Sequence, residues 1–365
     1  MIVKSLSLSN FRNYNRLFIE FNQDINILIG DNGQGKTNLI EAIYLLSVGK
    51  SFKTHIIKQM IMFDYDFAKV KGEVISNNKK RYLEIILGND FKRAKIDDQD
   101  IYKISEYVGL LNVVVFIPDD LYLVKGGPRN RRRFVDLELS KISPIYVFNL
   151  SKYNNLLKER NKYLKVLNKK NMNSDEYLEV LDEQLAKLQV ELIRKRIKFI
   201  NKLGEKVKLI YQMISKKDDE IIDLCYLCFL KNEINYENIL SMYKKNHQRD
   251  IRYMQTHIGI HKDDLGIYMN GNIADLFASQ GQQRTIVLAM KVALIELIKD
   301  EIGEYPVLLL DDVLSELDET RKNMLLDILN QKIQTFITTT SIDGINHQIV
   351  EKAKKIYIKS GKEVA

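Results

Sequence analysis

The sequence predicts an α/β protein with a mostly parallel sheet and a large, mainly helical lobe inserted into it. Three observations carry that expectation. The last hundred residues read strand, loop, helix, strand, helix, strand, an order that places helices on the faces of a parallel sheet. A glycine-rich loop at residues 30–37 lies between a short apolar run, "INILIG", and an apolar helix. A second apolar run, "PVLLLDD", ends on Asp311 and Asp312, 275 residues beyond Lys36. That separation is too long for a compact core, so something large is inserted between the two halves.

Taken in order, "IVKSLSL" alternates in polarity, "LFIEF" follows a polar turn, and "INILIG" reads as a buried strand. One helix follows residue 35. "AKVKGEVI" and "RYLEIILG" read as a hairpin pair, and "NVVVFIP" is a buried strand closed by Pro118. The four prolines (118, 128, 144 and 306) leave 145–305 without a strong helix breaker. There Leu178, Leu185, Leu192 and Phe199 recur every seventh residue, with Leu181 and Leu188 between them. A shorter seam of Leu150, Tyr153, Leu157, Leu164 and Leu167 precedes it, separated by the polar turn "NKKNMNSDE". The two seams predict an antiparallel helical hairpin near 146–217 with arms roughly 40 to 50 Å long. Two clean heptads fall short of the three to four of a coiled coil, which favours helices packed into a globular lobe. Beyond residue 220 come "IIDLCYLCFL", an amphipathic helix around "ENILSMYKKN", and "HIGIHKDDLGIYMNG", followed by the closing alternation of "YPVLLLDD", "RKNMLLDILN" and "QTFITTT". The expected division is 1–120 with 265–365 as the nucleotide-binding lobe, and 121–264 as the inserted helical lobe.

Composition narrows the class. The chain has 365 residues, 45% hydrophobic and 28% charged, enough to bury a sizeable core. No apolar run approaches the roughly 18 residues of a membrane span, and "MIVKSLSLSNF" alternates where a leader would be apolar, so a cytoplasmic location is expected. Cys225 and Cys228 form a lone CxxC with apolar flanks, read as core thiols on a buried strand rather than a redox or zinc pair. The formal charge is +8, and residues 152–217 hold 17 Lys or Arg against 8 Asp or Glu, a net of +9. Such an excess fits either a solvated helix face or a surface for phosphate backbones.

The strongest chemical signal is the loop itself. Gly30 to Thr37 match G-x-x-x-x-G-K-[ST] between a buried strand and a helix. Gly30, Asp31, Asn32, Gly33, Gln34 and Gly35 are expected to wrap backbone N–H groups around phosphate oxygens at the helix N-terminus. Lys36 then reaches the β- and γ-phosphates, and Thr37 offers a hydroxyl to Mg²⁺. Asp311, at the carboxyl end of its strand, is the expected second metal partner; Asp312 is placed to orient or deprotonate an attacking water. In "FASQGQQRT", Ser279 and Gly281 open another helix, a donor-rich N-terminus suited to a γ-phosphate, although alone the stretch is only a polar helix cap.

"GDNGQGKTN", the Ser279-Gln280-Gly281-Gln282 stretch, "LLLDD" and "SELD" (Ser315 to Asp318) resemble the P-loop, signature, Walker B and D-loop of ATP-binding-cassette ATPases of the chromosome-maintenance and double-strand-break-repair type. "NFRNY", "GKSFKT", "FIPDDLYLVKGGPRNRRRFVD" and "IGIHKDDL" extend the resemblance to the RecF family of bacterial recombination mediators. The resemblance implies an ABC-type P-loop ATPase head, with Asn38 joining the nucleotide loop. It also implies ATP and Mg²⁺ as cofactors, and a head-to-head dimer with ATP between the P-loop of one copy and the signature of the other. It further implies DNA binding at single-stranded gaps, RecO and RecR as partners in loading the recombinase RecA, weak hydrolysis for release, and roles in repair, replication and the SOS response. Candidate DNA-backbone contacts are Lys50, Lys53, Arg129, Arg131, Arg132 and Arg133; the arginines equally fit nucleotide contact or a tie between lobes.

Several positions depart from the broader pattern. Asp312 stands where relatives place Glu, Thr339, Thr340 and Ser341 stand where a switch histidine is expected, and Lys53 and Lys262 replace Arg, which keeps charge and loses bidentate geometry. Two other readings compete: a transporter-type ATPase subunit, disfavoured by the 275-residue separation and the absence of Leu-Ser-Gly-Gly-Gln, and an ATP-binding scaffold that recruits repair partners without productive hydrolysis.

Overall fold

The computed structural model describes residues 1–231, 233–316, 321, 322, 325, 333–341 and 347–364. The chain divides into two compact units, Met1–Asp120 with Lys291–Ala365, and Leu121–Met290. The second boundary therefore falls at 290/291 rather than at 264/265. Residues 265–290 belong with the inserted unit because Asp264–Met269 pairs antiparallel with Ile222–Leu227, burying one face of a small sheet there.

Among the described residues the first unit holds two six-stranded sheets. One is antiparallel, in the order Tyr14–Glu20, Ile2–Phe11, Phe67–Ser76, Lys79–Gly88, Lys92–Ile96, Gln99–Ile101. Its alternation buries Leu6, Leu8, Val70 and Val74 and turns Ser7, Ser9, Lys69 and Lys71 to the other face. The other runs Lys362–Val364, Lys354–Lys359, Ile25–Ile29, Thr335–Thr339, Val307–Asp311, Val113–Phe116, parallel except for its terminal hairpin. Ile25–Ile29, Val307–Asp311 and Val113–Phe116 are buried along their whole length, which is why they read as unbroken apolar runs. Helix Lys36–Val48 touches strands of both sheets, and every residue from Leu39 to Val48 is buried. A helix covered on all sides needs no polar stripe, and this one has none.

The second unit packs helices Pro128–Ile142, Pro144–Lys169, Glu176–Ser215 and Tyr236–Tyr253 with a three-stranded sheet of Asn272–Ile273, Asp264–Met269 and Ile222–Leu227. Proline opens the first two helices, where its missing N–H costs nothing. Asp175 caps the long helix by accepting from Leu178 N at 2.9 Å. The hairpin of Pro144–Lys169 and Glu176–Ser215 also packs against Tyr236–Tyr253 and Ile222–Leu227, so it is part of a globular lobe. The buried face is correspondingly wider than an apolar seam: Asp182, Gln189 and Arg196, themselves seven apart, are buried beside the leucines. Cys225 and Cys228 are free and half-buried, less enclosed than core thiols, because Ile222–Leu227 is an edge strand and Cys228 lies just beyond it. Burial pushes both thiols upward, Cys228 to about 11, away from reactivity. Among the described residues no helix is long and apolar enough to cross a membrane.

The "IGIHKDDL" stretch is a polar hub within this unit. Ile260 N donates to Gln189 Oε1 at 3.1 Å, Phe229 N to Asp263 Oδ1 at 2.7 Å, and Tyr153 Oη lies 2.7 Å from His261 Nδ1. His261 Nε2 faces the Thr256 carbonyl at 3.1 Å, which assigns the proton to Nε2 and makes Nδ1 the acceptor. Burial lowers its pKa to about 4. The unfolded imidazole, at about 6.5, binds a proton that the folded one refuses, so stability falls as pH drops from about 6.5 towards 4. His261→Asn is expected to flatten that part of the acid-stability profile, by roughly 2–3 kcal/mol at pH 4, measured by denaturant unfolding across pH.

Candidate nucleotide site

The phosphate loop leaves the carboxyl end of Ile25–Ile29, the third strand of the parallel sheet, where α/β folds bind ligands. Gly35 caps helix Lys36–Val48 at φ 119°, a left-handed conformation closed to most side chains. A Cβ there would also lie 2.7 Å from Asn13 Nδ2. No side chain caps this helix and no acid occupies its first turn, so no carboxylate of the helix itself competes for its positive end. The loop is braced from outside the motif. Asn13 Nδ2 donates to the Gln34 carbonyl at 3.0 Å, Asn38 Nδ2 to Asn13 Oδ1 at 2.9 Å, and Tyr14 Oη to the Gly35 carbonyl at 3.0 Å. From the C-terminal hairpin, Gly361 N donates to the Gln34 carbonyl at 3.0 Å and Ser360 N to Gln34 Oε1 at 2.6 Å. Arg12 of the same "NFRNY" turn holds the buried Glu41 carboxylate bidentately at 2.9 and 2.6 Å, anchoring the turn to the helix.

Lys36 is buried and donates to the carbonyls of Gly30 and Asp31. Thr37 Oγ1 donates to Asp311 Oδ1 at 2.9 Å, joining loop and aspartate strand directly. Thr338 Oγ1 donates to the same carboxylate oxygen at 3.0 Å and accepts from Asp312 N at 2.9 Å. Thr338 pairs in register with Asp311 on Thr335–Thr339, the strand between the loop's strand and Val307–Asp311. Burial raises the Asp311 pKa, a pull that the hydroxyls of Thr37 and Thr338 oppose. Asp312, at φ 54°, turns left-handed out of the strand. Together with Asp31, Asn32, Gly33, Gly35, Lys36, Thr37, Asn38 and Lys53 it lines a cavity of about 190 Å³. That is below the roughly 300 Å³ at which small-molecule pockets begin, a size for a phosphate chain rather than a whole nucleotide.

A divalent cation fits this corner only with help. Thr37 and Asp311 supply hard oxygens in contact with each other, and a cation would offset the desolvated carboxylate. Among the described residues no group of three or more His, Cys, Asp or Glu could hold a metal alone. The donor set therefore suits Mg²⁺ bound jointly with substrate phosphates.

Some expected contacts are placed elsewhere. Lys53, expected on a DNA backbone, lines the phosphate cavity, its Nζ 3.2 Å from Asn38 Oδ1, and burial lowers its pKa. Arg131 holds Asp264 bidentately at 2.9 and 2.7 Å, and Arg132 donates to the Asp263 carbonyl at 2.7 Å. Both guanidiniums tie helix Pro128–Ile142 to the "IGIHKDDL" stretch, because the helix lies against that strand. Arg129 and Arg133 are exposed on the same helix, and Lys50 is exposed near Lys92, whose pKa is lowered by burial and further by the Lys50 charge. In the second unit, Ser279 and Gln282 form a reciprocal cap: Gln282 N donates to Ser279 Oγ at 3.3 Å and Ser279 N to Gln282 Oε1 at 2.7 Å. Gln282 Nε2 also donates to Glu220 Oε1 at 2.9 Å, while Gln280 is exposed and Gly281 half-buried at the helix start. Of "SELD", residues 317 and 318 lie outside the described residues, as does most of "RKNMLLDILN".

The braces Asn13, Thr338, Ser360 and Gly361 were not singled out from sequence. Asn13 lies in "NFRNY", but nothing local in the chain marks a residue as a neighbour of a loop twenty positions away.

Comparison with known proteins shows the family. Residues 2–363 match the family described as RecF/RecN/SMC N terminal domain. The chain is 43% identical over 367 residues to the DNA replication and repair protein RecF of Staphylococcus carnosus, covering 99% of each chain. It is likewise 43% identical to the protein of that name from a Geobacillus species, covering 99% of this chain and 98% of the relative. A solved structure of the recombination mediator protein RecF-ATP in the RecFOR pathway matches with TM-score 0.91 and 32% identity, over 100% of this chain and 98% of that one. An Smc head domain derived from Pyrococcus furiosus shares the fold, with TM-score 0.56 at 16% identity, covering 99% of this chain and 95% of that one.

Fold and site together define an ABC-type ATPase head of the RecF/RecN/SMC class. Within that class the chain belongs to the RecF family of DNA replication and repair proteins.

Proposed function

We propose that this chain is a cytoplasmic, ATP-dependent, DNA-binding recombination mediator. ATP drives its head-to-head dimerisation on DNA at single-stranded gaps, where it works with RecR- and RecO-type partners to load the recombinase, and slow hydrolysis releases it. Repair, replication and the SOS response are the settings for that activity. The observation that carries the reading is the contact between Thr37 and Asp311, which joins a phosphate-binding loop to a carboxylate strand at one corner.

Each side chain has a role in this reading. Gly30 to Gly35 and the N-terminus of helix Lys36–Val48, with Asn38, hold the phosphates. Lys36 leaves its carbonyl partners for the β- and γ-phosphates, and Lys53 adds a second ammonium from the cavity wall. Thr37 and Asp311 hold Mg²⁺, which when bound neutralises phosphate charge. Asp312 orients the attacking water, and its short side chain supports slow turnover. Ser279, Gln280, Gly281 and Gln282 close the site from a second copy, so hydrolysis waits on dimerisation. Backbone contacts to DNA are assigned to Lys50, Arg129 and Arg133; Arg131 and Arg132 act by positioning their helix. Such contacts predict steep salt dependence and little sequence preference.

Sizing the protein by light scattering with ATP and DNA, together and separately, tests the reading. Ser279→Arg places a long cation where the γ-phosphate end must pack and is expected to leave nucleotide binding intact while abolishing the ATP-dependent dimer. A Ser279→Arg protein that dimerises like wild type sinks the two-copy site.

A further inference from the structure

We propose that the short apolar turn just before the signature is a docking knob that seats in a cavity beside the phosphate loop of a second copy of this chain. The proposal rests on the ATP-sandwich reading above and names a contact that reading does not contain. Leu276 and Phe277 are 74% and 69% exposed, large apolar side chains left in water. They are not on a loose loop. Ala274 and Ala278 are buried beneath them, Ala278 N donates to the Ala274 carbonyl at 3.1 Å, and Gln283 Nε2 donates to the carbonyls of Asp275 and Ala278 at 3.2 and 3.0 Å. A buried amide therefore fixes the turn that presents them. Asp275, exposed beside them, adds a negative charge.

The first unit carries a complementary feature. A cavity of about 900 Å³ is lined by the apolar side chains of Met62, Tyr65 and Phe67 and by the cations Arg16, Lys69 and Lys362, of which Lys69 also pairs with Glu84 at 2.7 Å. Tyr65 and Phe67 are 41% and 46% exposed. Asn13 and Gly361 also line it, and both donate to the Gln34 carbonyl, so the cavity borders the phosphate loop. In the sandwich, Ser279 of one copy faces the phosphates held by the other, and Phe277 lies two residues, at most about 7 Å of chain, from Ser279. An apolar pair with an acid thus arrives beside a cavity whose lining includes both apolar side chains and cations. Two-fold symmetry forms the contact twice per dimer.

Phe277→Asp tests this on an exposed position where folding is not at stake. Sedimentation with a slowly hydrolysed ATP analogue is expected to show dimerisation weakened at least about tenfold, because a well-packed aromatic anchor is lost on both sides. Binding of a fluorescent ATP analogue to the monomer is expected to be unchanged. Asp275→Lys and Arg16→Glu are each expected to weaken the dimer, and the chain carrying both to recover most of the loss. A Phe277→Asp protein that dimerises as wild type, or a charge-swapped chain no better than its single variants, overturns the knob while leaving the sandwich standing. Wild-type protein that stays monomeric with the analogue overturns both.

Discussion

Replacing Lys36 by methionine is expected to lower DNA-stimulated ATP hydrolysis on the order of 10²–10³-fold, the loss seen when a preorganised group that stabilises transition-state charge is removed. The lysine is the buried cation of the phosphate loop, and its only described hydrogen bonds are to the carbonyls of Gly30 and Asp31. Those bonds hold the ammonium at the wall of the cavity, where the proposed reading brings phosphate oxygens to it. Methionine keeps the length and apolar stem of lysine and leaves the helix intact, so thermal unfolding without nucleotide is expected to move little. Phosphate release with DNA present, beside direct binding of a fluorescent ATP analogue, separates the two remaining readings. A catalytic switch loses both signals in Lys36→Met and only release in Asp312→Asn. A scaffold that binds without productive hydrolysis shows no release for any form, wild type included. Hydrolysis by Lys36→Met equal to wild type would mean that the site is elsewhere.

The site was legible in sequence where chemistry is local. Eight consecutive residues match the phosphate-loop pattern because its glycines and lysine fall within one turn, and the two aspartates announce themselves by ending an apolar strand. Thr338 could not be read this way. Its role follows from its register opposite Asp311, which is fixed only when Thr335–Thr339 enters the sheet between two other strands. The arginines of "PRNRRRF" show the opposite case: the sequence leaves them open between a phosphate surface and an internal tie, and only the fold shows Asp263 and Asp264, some 130 residues away, taking up two of them. The boundary at 264/265 failed for a related reason, since the partner strand that claims Asp264–Met269 comes from forty residues earlier. The helical hairpin was legible as a pattern of leucines, whereas its buried polar line was not, because Asp182 and Arg196 look like solvated residues until their partners are seen.

That buried line sets the largest expected effect on stability. Arg160 is fully buried and donates Nε to Asp182 at 2.6 Å, and its other guanidinium arm to Asp250 and to Thr256 Oγ1, both at 2.8 Å. Its guanidinium also stacks 4.8 Å from the centre of the Tyr243 ring. Both carboxylates are fully buried too, with His247 2.5 Å from Asp182 and His257 2.9 Å from Asp250. Arg160→Met fills much of the same volume yet removes the one permanent cation from between two desolvated carboxylates. Breaking a buried pair from one side costs about 3–5 kcal/mol, and here two pairs break at once. Denaturant unfolding should show the transition of the helical unit shifted by at least that amount. Removing both charges as well, with Asp182→Leu and Asp250→Leu added to Arg160→Met, should recover a large part of the loss, because a buried ion cluster is worth little more than the apolar packing that can replace it. If the triple variant is as unstable as Arg160→Met alone, the cluster contributes through the geometry of its hydrogen bonds to Thr256 and the histidines, not through charge balance. The same burial bears on DNA binding, since Arg160 and Arg196 are two of the 17 cations that make residues 152–217 look like a phosphate surface, and both are consumed inside the unit. Asp182, one of the 8 acids of the stretch, is buried with them, so 15 cations against 7 acids remain, a net of +8 in place of +9, and substituting exposed lysines there tests the phosphate-surface reading at nearly its full charge.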